Sequence, residues 1–79
     1  MEINMYKYRA YNYATGEVRE HTCSSRSFAC QAGYKSAIRM ARENIREGCG
    51  TKEEPLIRLF EVTEKTSFDE FREIRLPLV

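Results

Sequence analysis

Four cations, Lys35, Arg39, Arg42 and Arg46, recur at intervals of four, three and four residues. On an α-helix that spacing gathers them on one side, and Arg26 extends the set toward the start. Guanidinium and ammonium groups make charge-assisted hydrogen bonds to phosphate and carboxylate oxygens. The chemistry on offer is recognition of an anion, either a nucleic-acid backbone or an acidic protein surface. The competing reading is an ordinary solvated face. Glu43 follows Arg39 by four residues and Glu47 follows Arg46 directly, so part of the charge is balanced locally.

A second set, Lys7, Arg9, Tyr11 and Tyr13, alternates along the N-terminal stretch. Aromatics interleaved with cations on an open sheet face can stack bases, and tyrosine and arginine are also enriched at protein interfaces. Strand propensity and cross-strand packing account for the same tyrosines. The stretch RAYNYATGE carries none of the glycine and aromatic pattern of an RRM core motif.

His21, Cys23, Cys30 and Cys49 are ligand types suited to zinc, but no C-x-x-C pair is present. Cys30 and Cys49 bracket a helix rising about 1.5 Å per residue, which sets them more than ~25 Å apart. Neither one metal ion nor a disulfide spans that gap, so free thiols and no cofactor are expected. His21 and Cys23 point the same way on a strand, yet no orienting third group or oxyanion donor accompanies them. The carboxylates Glu43, Glu47, Glu53, Glu54, Asp69, Glu70 and Glu73 sit in polar surroundings, without the apolar setting of a general acid. Gly48-Cys49-Gly50 follows a helix rather than opening one, so it is no phosphate loop. The chain reads as a non-enzyme.

The elements that position these residues follow from periodicity. Ile3 to Tyr13 is a tyrosine-rich strand, with Tyr6, Tyr8 and Ala10 on one face and Met5, Lys7, Arg9, Tyr11 and Tyr13 on the other. Ala14 to Glu17 is a turn, and Gly16 can supply positive φ. Val18 to Cys23 returns as a strand at or near a sheet edge. Ser27 to Gly48 is the long helix, with Cys30, Tyr34, Ala37, Ile38, Ala41 and Ile45 as its apolar side; Ser24, Ser25 and Ser27 can each cap its start, Ser27 being the favoured one. Gly33 is expected to allow close approach to a strand, and Gly48 and Gly50 to end the helix. Leu56 to Glu64 is a third strand, with Leu56, Arg58, Phe60 and Val62 on one face and Ile57, Leu59 and Glu61 on the other. Ser67 to Glu70 has capping-box spacing. Phe71 to Leu78 is a fourth strand, with Ile74 and Leu76 on one face. The order β-β-α-β-β predicts a two-layer α+β domain, one helix covering one face of an antiparallel sheet.

The 79 residues make one domain, and a core this small leaves little room for a deep cleft. At 42% hydrophobic and 32% charged, the composition is that of a folded globular chain. A net charge of +1 exerts no global pull on nucleic acid or anionic lipid, so any electrostatic function must come from the distribution of charge. No apolar run approaches the ~20 residues of a membrane helix, and MEINMYKYRAYNY lacks a signal-peptide centre. An odd cysteine count suits a reducing compartment, so a cytoplasmic location and no membrane partner are expected.

In layout, HTCSSRSFACQAGYKSAIRMAREN followed by LIRLFEVTE resembles small phage and mobile-element proteins. Among these are small anti-CRISPR proteins that block a bacterial defence complex. The resemblance transfers no functional residue. It implies a stoichiometric inhibitor in the host cytoplasm that occupies a surface of a host protein or ribonucleoprotein complex. The partner-binding residues expected are Lys35, Arg39, Arg42 and Arg46 on the helix and Arg9, Tyr11 and Tyr13 on the sheet. Direct nucleic-acid binding by a small regulator is the alternative, and a homodimer through a sheet face or edge is a further one.

Overall fold

A computed structural model describes residues 5–63 and 70–76 of the chain. Four strands and one helix run in the order β1 (Tyr6–Asn12), β2 (Val18–Cys23), α1 (Arg26–Arg46), β3 (Ile57–Thr63) and β4 (Glu70–Ile74). The strands form one antiparallel sheet in the spatial order β2-β1-β3-β4, with α1 packed on one face. This is the two-layer α+β architecture that the sequence predicts. The capping-box reading of Ser67 to Glu70 and the placement of Pro77 fall on or beyond the edge of the described residues.

The β1–β2 hairpin closes at Gly16, whose φ of +81° is left-handed backbone that only glycine adopts cheaply. Asn12 braces the turn, its Oδ1 accepting from the N–H of Ala14 and Thr15. Registers Tyr8↔His21 and Ala10↔Leu59 then fix the faces. Tyr8, Ala10 and Asn12 point toward α1, joined by His21 and Cys23 from β2, Ile57, Leu59 and Glu61 from β3, and Ile74 from β4.

The helix begins two residues before its expected start. Ser25, not Ser27, is the N-cap: its backbone is extended and its Oγ accepts from the Phe28 N–H, whereas Ser27 lies inside the first turn. The helix ends on a Schellman motif. Gly48, at φ +77°, donates to the Ile45 carbonyl and Cys49 donates to the Asn44 carbonyl.

The buried side of α1 matches the expected one at Ala37 and Ala41 and differs elsewhere. Cys30, Tyr34, Ile38 and Ile45 are only half-buried, while Ala29, Gly33, Ser36, Ala37, Met40, Ala41 and Asn44 are buried. The inner row Ala29-Gly33-Ala37-Ala41 has almost no side-chain bulk, so the helix backbone settles close to the sheet. At Gly33 a Cβ would stand 3.0 Å from Tyr8 Cβ and 3.1 Å from Leu59 Cδ1. Tyr34, Ile38 and Ile45 therefore lie at the margins of the contact, while Met40 and polar Ser36 and Asn44 lie inside it. Leu56 is a second correction. It adopts φ +63° ahead of β3 rather than sharing the face of Phe60 and Val62, and its carbonyl accepts from the Tyr13 N–H.

Candidate functional site

The four stripe cations Lys35, Arg39, Arg42 and Arg46 are all exposed on the side of α1 turned away from the sheet. They rim a shallow depression floored by half-buried Ile38, with Glu43 at its edge. None of the four makes a hydrogen bond or ion pair with another described residue. Glu43 and Glu47, close in sequence, do not neutralise them by direct contact.

The open sheet face is different. Arg9 donates from Nε to Glu20 Oε1 at 2.7 Å, and Lys7 reaches the same oxygen at 3.9 Å. Arg58 is held by Glu73 across the β3–β4 ladder. The Glu20 carboxylate, with Tyr11 behind it, raises the Arg9 pKa above the usual guanidinium range, and Glu73 does the same for Arg58. In return Arg9 lowers the Glu20 carboxyl below its ordinary value. Tyr11 stacks on Tyr13 at 6.2 Å between ring centroids and meets Phe60 edge-on at 5.4 Å. The structure thus brings Arg9, Tyr11 and Tyr13 together, but places them on the layer opposite the helix stripe. A single flat partner surface cannot meet both sets.

Between α1 and the β3–β4 side of the sheet runs a groove that sequence reasoning passed over. Its floor holds Glu61, only 8% exposed, whose Oε2 accepts from the Tyr8 hydroxyl at 3.1 Å and from Arg26 Nη2 at 3.0 Å. Burial raises the Tyr8 phenol above its usual pKa, and the Glu61 charge adds to this against the pull of Arg26. Tyr8 and Glu61 together push the Arg26 guanidinium upward. Arg26 is therefore engaged in the structure and does not join the free stripe. Strand alternation was signal enough to find this cluster, because it puts Glu61 on the face of Ile57 and Leu59, where a carboxylate must have partners. Farther along the groove the Tyr34 hydroxyl donates to the Arg75 carbonyl at 3.1 Å.

His21 and Cys23 do share the helix-facing side of β2, as their spacing implies. His21 Nε2 lies 2.6 Å from Ser36 Oγ. Ser36 is buried between α1 and β2, so this contact fastens helix to strand and offers no accessible hydroxyl to a substrate. Cys23 and Cys30 are half-buried against the core and Cys49 is exposed; all three are free. Among the described residues, no three His, Cys, Asp or Glu side chains converge as a metal site would require. No described helix is long and apolar enough to cross a membrane.

The chain matches no protein-family model, no characterised protein and no solved structure.

Proposed function

We propose that this domain is a non-enzymatic binding module whose recognition surface is the outer face of α1. One observation carries the reading. The cations of the open sheet face are engaged by the protein's own carboxylates, whereas Lys35, Arg39, Arg42 and Arg46 have no intramolecular partner among the described residues. A cation already paired gains little from a new carboxylate, because the old contact must first break. An unpaired, exposed arginine gives up only water. The stripe is also built on a helix anchored by a buried inner row, so its charges are held on a rigid element.

The mode of action in this reading is steric. The cationic face docks on an anionic surface of a host complex and denies it to the usual occupant, one domain per target. The choice of a defence complex as the target rests on the resemblance in layout to small phage inhibitors. Tyr11, Tyr13 and Arg9 then lie on the far side, as a secondary surface.

The test is affinity capture from the native host with quantitative mass spectrometry, run with wild type and with Arg39→Glu/Arg42→Glu. The reading expects a saturable, stoichiometric partner that the double variant loses while its circular dichroism is unchanged. Retained capture by the double variant would remove the helix face as the site. A shift assay on bulk DNA and RNA at low salt is the companion measurement. Affinity falling steeply with the logarithm of salt concentration would make nucleic acid itself the target.

A further inference from the structure

Phe28 is 68% exposed and sits in the first turn of α1. At about 100° per residue, Phe28, Lys35, Arg39, Arg42 and Arg46 all fall within about 40° of one line along the helix. The most exposed large apolar side chain among the described residues therefore heads the row of unpartnered cations. Successive charges lie about 6, 4.5 and 6 Å apart along the axis, and the phenyl ring lies about 10 Å beyond Lys35. Gln31 and Ala32, both uncharged, fill the gap.

We infer that this line is a docking ridge for an acidic amphipathic helix of a partner protein, laid antiparallel to α1 with an apolar residue against Phe28. The inference rests on the reading of the outer helix face as the recognition surface and names the kind of partner it takes. Two features of the ridge favour a helix over nucleic acid. The charge intervals of four, three and four residues are those that a second helix reproduces when its carboxylates occupy one face, so each cation has an opposite number at the same pitch. A nucleic-acid base stacked on Phe28 would instead leave its nearest phosphates over Gln31 and Ala32, where no cation waits. The antiparallel sense sets the two helix dipoles head to tail. Phe28 supplies a contact that salt does not screen, and arginine in three of the four charged positions suits two-pronged contact with carboxylates.

The experiment uses the full chain and three probes at low salt, with a leucine-to-serine version of the first as its control. The first is a stapled helical peptide bearing glutamates at intervals of four, three and four residues, then a leucine seven residues farther on. The second has the same composition with the glutamates moved around the helix. The third is single-stranded oligothymidylate. The expected result is at least tenfold tighter binding of the first peptide than of the second. Phe28→Ser should lose affinity for the leucine peptide but not for its leucine-to-serine counterpart. Equal binding of the two peptides overturns the inference, as does an identical effect of Phe28→Ser on both leucine and serine peptides. If oligothymidylate binds through Arg39 and Arg42 while the peptides show no preference, the cationic face stands and the helical partner falls. If none of the three probes responds to Arg39→Glu/Arg42→Glu, both readings fall.

Discussion

Asn12 and Asn44 form a reciprocal amide pair in the core. Asn44 Nδ2 donates to Asn12 Oδ1 at 3.0 Å, and Asn12 Nδ2 donates back to Asn44 Oδ1 at 3.2 Å. Asn44 Nδ2 also reaches the Pro55 carbonyl, and Asn12 Oδ1 braces the hairpin turn. Two side chains thus tie together the first hairpin, the end of α1 and the entry to β3. Removing one member leaves the other with a buried amide group short of its partner, which costs about 1–3 kcal/mol. Asn44→Ala should destabilise the fold by about 2 kcal/mol in urea titration, and Asn44→Asp by no less, since an ionised carboxylate cannot donate to Asn12 Oδ1 or Pro55. A loss below about 0.5 kcal/mol would mean the pair contributes nothing beyond filling space. None of this was readable from hydrophobicity, because an asparagine at residue 44 resembles a solvated helix position unless the inner row is already known.

The helix shows where sequence reading succeeds and where it slips. Its existence, its length to within two residues at each end and the outward aim of its four cations follow from periodicity. The inward face follows only in part: Gly33, Ala37 and Ala41 lie against the sheet as expected, whereas Cys30, Tyr34, Ile38 and Ile45 are only half-buried. The contact centres on residues with the least bulk, and its hydrophobic signal is weak where packing is tightest. Gly33 is the residue that reveals this, since a glycine inside a helix costs about 1 kcal/mol unless close packing requires it. Gly33→Ala gains that propensity but drives a methyl to within 3.0 Å of Tyr8 Cβ, a main-chain-anchored atom that cannot swing aside. Overpacking at about 1–3 kcal/mol outweighs the gain. The variant should therefore melt several degrees lower by circular dichroism, and Gly33→Leu should not fold. An increase in melting temperature for Gly33→Ala would show that helix and sheet can part more easily than the distances imply. The strands were more legible, β2 matching its expected bounds, because β1 and β2 alternate with one face inward, although β4 ends at Ile74, short of the expected Arg75 and Leu76. At Leu56 the departure follows from chain direction: the backbone must turn into β3 there, and pattern alone does not report φ.

Over the whole molecule, the described residues arrange charge as a neutralised sheet face and an unneutralised helix face, which a net charge of +1 conceals. The pH response follows from the groove side. Tyr8 and Tyr34 both have their phenol pKa raised above 10.0, chiefly by burial. Below pH 10 each is neutral in the folded and unfolded chain alike, so their contribution is complete. As pH rises past 10, the unfolded chain releases these protons while the folded chain keeps them. The native state then binds more protons, and stability falls with pH. Melting temperature should be level from pH 8 to about 9.5 and decline above it, more gently in Tyr34→Phe than in wild type. An equal slope in both would exclude Tyr34 as a contributor. Glu20 works in the opposite sense: its lowered pKa adds stability that is lost as pH falls through it, but the group is exposed and solvent screens the effect.

Among the described residues, the helix lies over β1, β2 and β3 and makes no comparable approach to β4, which pairs with β3 alone. An α-helix is about 10–12 Å across, and four strands at ~4.8 Å spacing present a wider floor than one such rod can roof. The outermost ladder is therefore the seam along which the domain opens first. Amide hydrogens of β4 should exchange with deuterium well ahead of those in β1, whose ladders are shared on both sides. Mechanical pulling at the C-terminal end should peel that ladder away before the three strands beneath the helix yield.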